Sequence, residues 1–242
     1  MRTLIFTDLH SISPLFLLER AKARGVDRFV SLGDLDRPYI LAQLRNFPME
    51  KILVMGNHDE RLASGQMVSS EDLDSNPQEY IELWKSNPEQ AKFVLESSKI
   101  GIKRPGRKRG IRVVERNLDG KLCYVHGALI DDYERLNNHH PFLWGRILEE
   151  PPEENARLNF GEMDKLDYWI LFRGHDHRRK VFSTAIGKGK HLTIVKEEDP
   201  NKENELTLLP ERRYIVSVGR LDNGSYALYD DKTRVLKFGT CE

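Results

Sequence analysis

Cysteine is nearly absent, with only Cys123 and Cys241 in 242 residues. Two thiols cannot build a disulfide framework or a four-thiolate zinc site, which leaves a protein of a reducing cytoplasm as the expectation. No apolar run approaches the ~18 residues of a membrane helix, and no membrane partner is expected. The opening MRTLIF is interrupted by Asp8 and His10 before a secretory h-region can form. Net charge is missing as well: 38 Lys+Arg balance 38 Asp+Glu. That excludes a uniformly basic nucleic-acid coat but leaves room for a local patch. Repeats and low-complexity blocks are also lacking. Present instead is a hydrophobic fraction of 39%, too high for a disordered chain. The length is enough for a full core, and residues 1–242 are read as a single α/β domain.

The chain begins in strand–helix–strand–helix–strand order. Arg2–Thr7 reads as a buried strand. Ser13 and Pro14 supply a helix N-cap and first position, Leu15, Leu18 and Ala21 an apolar stripe, and Gly25 a stop. Arg28–Leu32 is a second strand, Pro38–Asn46 a short helix and Lys51–Met55 a third strand. This order predicts parallel strands, with ligands collected in the loops beyond the strand C-termini. Residues 63–109 read as an insertion or cap, helical over Gln78–Ser98 and merging into a basic loop at Lys103–Arg112. Further strands are expected at Ile111–Glu115, Lys121–Val125 and Tyr168–Phe172, with a helix over Glu153–Leu166. The last third alternates short strands: Lys180–Ser183, His191–Val195, Arg213–Val218, Ser225–Tyr229 and Arg234–Phe238. Turn residues stand at Asp222–Gly224 and Asp230-Asp231, and Glu197–Glu205 reads as an exposed acidic loop.

The strand-end loops carry Asp8, His10, Asp34, Asn57, His126, His175 and His177. Oxygen and imidazole donors without a nearby thiolate suit first-row divalent ions such as Mn, Fe, Co, Ni or Zn. Seven donors suffice for two ions if one carboxylate bridges, and Asp34 in its Gly-Asp turn is the candidate. Two carboxylates against two dications leave the site positive, fit for an anionic substrate and able to lower the pKa of bound water. Each fragment is common by chance; five in one order are not.

That order resembles the calcineurin-like metallophosphoesterase superfamily. The matching pieces are Asp8-Leu9-His10, Gly33-Asp34, Gly56-Asn57-His58-Asp59, His126-Gly127 and Gly174-His175-Asp176-His177, across about residues 1–180. The closing VSVGRLDNGSYALYD looks like the glycine–serine strand pair that ends the smaller bacterial and archaeal members. The resemblance implies a four-layer sandwich of two mixed β-sheets flanked by helices. It implies two divalent ions, manganese foremost, one held by Asp8, His10, Asp34 and His177 and the other by Asp34, Asn57, His126 and His175. His58 would contact the phosphate or protonate the leaving oxygen. The chemistry implied is in-line attack of a metal-bound hydroxide on a phosphomonoester or phosphodiester, with a small phosphoester or nucleotide as substrate.

Two motifs admit other readings. Asp36 and Arg37 resemble the aspartate and arginine of phosphoprotein phosphatases, which orient the catalytic histidine and grip phosphate. The spacing here is one residue shorter, Pro38 replaces a glycine, and Asp59 replaces a glutamate. Asp36 could equally cap the following helix. The basic Lys103–Arg112 loop could steer a nucleotide or an RNA end to the ions, or be a solvated surface loop. A nucleic-acid-binding or RNA-end-processing protein on the same scaffold is therefore the alternative, with a serine/threonine-type protein phosphatase behind it. His139, His140 and His191 read as ordinary turn and strand residues, and Trp84, Trp144 and Trp169 as core anchors.

Overall fold

The computed structural model describes residues 1–10, 12–35, 37–59, 113–117, 119–129, 147, 152–186 and 205–241. The expected cap at 63–109, the Lys103–Arg112 loop, Asp36, His139, His140, the strand at His191–Val195 and most of the acidic loop lie outside these residues.

Among them, eleven strands form two sheets. The first sheet runs β3 (Glu50–Leu53), β2 (Arg28–Ser31), β1 (Arg2–Phe6), β10 (Ser225–Asp230), β11 (Val235–Thr240) and β8 (Glu205–Thr207). The second runs β4 (Val113–Arg116), β5 (Lys121–Tyr124), β6 (Tyr168–Arg173), β9 (Arg212–Val218) and β7 (Arg179–Ala185). Both are mixed: β1 is parallel to β2 and β2 to β3, while β1 is antiparallel to β10. In the second sheet β5, β6 and β9 run parallel, with β4 and β7 antiparallel at the edges.

Side-chain alternation along the strands builds the layers. Leu4 and Phe6 of β1 point outward onto α1 (Leu15–Ala23) and α2 (Pro38–Asn46), meeting Leu17, Leu18, Ala21, Ile40, Leu41 and Leu44. Ile5, between them, points inward with Val30 and Ile52 against Tyr124, Ile170, Phe172 and Val216 of the other sheet. On that sheet's far face, Cys123, Leu171 and Ile215 pack on Ala156, Phe160 and Met163 of α3 (Pro152–Leu166). The result is helix, sheet, sheet, helix, as the resemblance implied. No described helix is long and apolar enough to cross a membrane.

Three local details differ from the sequence reading. Pro14, rather than Ser13, occupies the N-cap of α1, without a side-chain cap. The Ser13 hydroxyl donates to Gln43 Oε1 on α2 at 2.8 Å and accepts from Leu15 N at 3.5 Å. Glu205 begins a short edge strand, β8, where an exposed loop was expected. The Asp222–Gly224 turn is a 3₁₀ turn at Leu221–Asn223 with Gly224 at φ +87°, and it joins strands of different sheets rather than a hairpin.

Candidate metal centre

The parallel strands of both sheets end at one rim. The loop after β1 carries Asp8 and His10, the loop after β2 Asp34, and the turn after β3 Asn57 and His58. From the second sheet, His126 follows β5, and His175 and His177 follow β6. Backbone bonds tie the loops together: Asp8 N to Gly33 O and Leu9 N to Asp34 O, both 3.0 Å, and Gly174 N to His126 O at 3.0 Å. Seven described non-glycine residues have positive φ, and five of them are Asp8, His10, Asp34, His175 and His177. Left-handed backbone is uncommon for side-chain-bearing residues and clusters at functional sites.

Two groups of donors result. Asp8, His10 and His177 place one ligand atom each within 4.8 Å of one another, and Asp34, His126 and His175 do the same. Asn57 joins the second group, its Oδ1 lying 2.9 Å from His126 Nε2. The second group is fully buried; the first opens outward through His10 and His177. They adjoin at His126, whose Nε2 is 3.2 Å from Asp34 Oδ2 and 4.0 Å from Asp8 Oδ1. Sequence reasoning named all seven residues, and the fold brings all seven together.

The geometry fits cations. Asp8 Oδ1 is buried without an aligned hydrogen-bond donor among the described residues. Three imidazole nitrogens stand around it, of His177 at 3.3 Å and of His10 and His126 at 4.0 Å each. Its other oxygen accepts from Thr7 Oγ1 at 2.8 Å and His175 N at 3.2 Å. Burial pushes the Asp8 carboxyl up, but the His177 and His126 imidazoles hold it below its ordinary value. His126 Nδ1 lies 2.8 Å from Leu32 O. A carbonyl only accepts, so Nδ1 carries a proton, and Nε2 is the ring atom turned toward Asp34 and His175. Burial disfavours the charged ring, yet the Asp34 and Asp8 carboxylates raise its pKa to about 9.

Asp59 is the residue whose role the sequence did not reveal. It is completely buried, and its carboxylate accepts from three backbone amides: Asp34 N at 3.0 Å, Leu35 N at 3.1 Å and Gly56 N at 2.9 Å. It clamps the β2 loop to the β3 turn. Gly56 permits that approach, because a Cβ there would lie 2.0 Å from Asp34 Oδ1. Its sequence signal was its place at the end of the Gly56-Asn57-His58-Asp59 motif, which marks the residue but not its backbone partners.

His58 sits half-buried at the rim, its ring centroid 5.3 Å from that of His10. Its amide donates to Asp34 Oδ1 at 3.0 Å. Arg37 holds the N-cap position of α2 in extended conformation, with no capping side-chain bond, and belongs to neither donor group. Cys123 and Cys241 form no disulfide among the described residues, and Cys123 is buried in the core against α3. Trp169 is a core residue, 1% exposed.

Residues 1–179 match the family model of the calcineurin-like phosphoesterases. A metallophosphoesterase from Sphaerobacter thermophilus superposes with a TM-score of 0.58 at 23% identity, over 100% of this chain and 88% of that one. An archaeal phosphodiesterase gives 0.49 at 14% identity over 100% of both chains. Vps29 from Chaetomium thermophilum gives 0.45 at 13%, over 95% of this chain and 82% of that one. The first likeness establishes the fold; the other two are weaker. Comparison with the curated proteins finds no match.

Proposed function

This chain belongs to the calcineurin-like phosphoesterase family, and from that premise we propose that it is a binuclear metal-dependent phosphoesterase. It hydrolyses a phosphodiester or phosphomonoester, with a nucleotide as a fitting substrate. Asp8, His10 and His177 would hold one ion and Asn57, His126 and His175 the other, with Asp34 bridging. Manganese is the first choice among Mn, Fe, Ni, Co and Zn. Bound divalent ions would supply charge stabilisation for the phosphoryl oxygens and an activated water.

The chain's own residues do the rest. Two carboxylates facing two dications leave the rim positive and attract an anion. His58 contacts the phosphate and gives a proton to the departing oxygen, a role worth ~10²–10⁴-fold. Its half-buried position beside His10, with its backbone fixed to Asp34, suits that task. The observation that carries this reading is the pair of adjoining three-donor groups at the ends of parallel strands.

Hydrolysis of an aryl phosphodiester with Mn²⁺ by wild type and Asp34→Asn tests it. Loss of outer-shell partners costs 10–100-fold in such sites, so loss of the bridging carboxylate should exceed ~100-fold. Wild-type-like turnover in the variant overturns the assignment. A single-stranded RNA offered with Mn²⁺ and with EDTA separates cleavage from mere binding. A phosphopeptide hydrolysed while diesters are not would shift the reading to a protein phosphatase, in which Arg37 grips the phosphate.

A further inference from the structure

A charged pair lies beside the imidazoles and is not one of their ligands. Arg173 ends β6 and is completely buried. Asp176, between His175 and His177, is 8% exposed. Arg173 Nη1 donates to Asp176 Oδ2 and, at 3.1 Å, to Ser217 Oγ on β9. Its Nε donates to Gly127 O at 2.6 Å, and Gly127 directly follows His126. Asp176 Oδ2 also accepts from Ile147 N at 3.3 Å. One guanidinium therefore spans the loop after β5, the loop after β6 and strand β9.

Those two loops supply three of the seven donors. The β6 loop is in an unfavourable conformation, with φ of +66° at His175 and +57° at His177. Such backbone persists only where surrounding contacts over-determine it. Its two imidazoles diverge, His175 joining Asp34 and His126 while His177 joins Asp8 and His10. Asp176 sits at the branch point. A buried ion pair adds little net stability, because desolvation offsets the Coulomb attraction. Stability alone would be served as well by apolar side chains of that size.

We propose that the Arg173–Asp176 pair is a positioning device for the metal centre, aligning the β5 and β6 loops so that His126, His175 and His177 converge on the two donor groups. This rests on the phosphoesterase reading only in requiring that ions bind. The forked geometry is the working part: lysine offers one point charge and cannot reach Gly127 O, Asp176 and Ser217 together.

The test is titration of the metal-stripped protein with Co²⁺, whose visible absorption reports ligand number and geometry. Wild type, Arg173→Lys and the apolar double variant Arg173→Met/Asp176→Leu are compared, with metal-free melting curves as the control for folding. Two Co²⁺ per chain are expected in wild type. Both variants should bind at least one ion 10–100-fold more weakly, with an altered absorption band, and the double variant should melt no lower than wild type. Unchanged affinity and band in the variants overturns the proposal while leaving the phosphoesterase reading intact. Weakening only in step with a lower metal-free melting temperature makes the pair structural and overturns it too. Failure of wild type to bind Co²⁺ overturns the phosphoesterase reading and the pair's role with it.

Discussion

His126 shows how single residues tune the centre. Its raised pKa of about 9 means that the metal-free site holds a proton among Asp34, Asp8 and His175 where the account places an ion. An unfolded histidine titrates near 6.5. The folded value is higher, so protonation stabilises the metal-free fold fully below pH ~6.5, and that contribution disappears as pH rises through about 9. The melting temperature in EDTA should therefore fall from pH 6.5 to 9. Saturating Mn²⁺ should remove that trend, since the ion displaces the proton. A flat profile in EDTA would contradict the assignment of His126. Asp59 acts through backbone instead. Asp59→Asn weakens three charge-assisted bonds and should lower stability by about 1.5–3 kcal/mol, read by urea denaturation in EDTA. It should also weaken Mn²⁺ binding; unchanged binding would show that the β2 loop holds its shape unaided.

At the scale of elements, the loops after β1 and β6 are forced together. A Cβ on Gly174 would lie 2.1 Å from Thr7 Oγ1, the same hydroxyl that donates to Asp8. Gly174→Ala should push the β6 loop off the β1 loop and lower stability by about 1–3 kcal/mol. It should also separate Asp8 from His175 and His177. Calorimetry with Mn²⁺ should show weakened binding, and a wild-type isotherm would contradict this close-packed rim. The same scale decides what was legible in the sequence. The fully buried strand β6 announced itself as an apolar run between turn residues. β8 is three residues long, partly exposed and held by one neighbour, so no periodicity marked it. Ser13 reads as a cap from local preference, but Pro14 takes the N-cap position and the Ser13 hydroxyl donates across to Gln43, a contact set by packing. The seven donors were legible because each adjoins a strand end in a short polar motif. The supports Asp59, Arg173 and Asp176 work through partners on other loops, and sequence pattern carries no trace of such pairings.

For the molecule as a whole, the rim exists because two sheets are held in one relation. Besides the shared core, Arg28 on β2 forms a two-pronged pair with Glu115 on β4 at 2.7 and 2.6 Å. It also donates to Tyr124 OH at 3.2 Å and Thr3 Oγ1 at 3.0 Å. Arg28 is 2% exposed, so its removal strands partners in the interior. Breaking a fully buried pair costs ~3–5 kcal/mol; the Glu115 side chain is 29% exposed and water recovers part of that. Arg28→Ala should therefore cost about 2 kcal/mol, a melting shift of roughly 4–8 °C for a chain of this size. No shift would mean that the apolar core alone sets the sheets.

The most direct test of the central claim is anomalous X-ray scattering from crystals grown with Mn²⁺. Two peaks are predicted at the rim, one among Asp8, His10 and His177 and one among Asn57, His126 and His175, with Asp34 between them. A rim without a peak, or manganese bound only elsewhere, would contradict it.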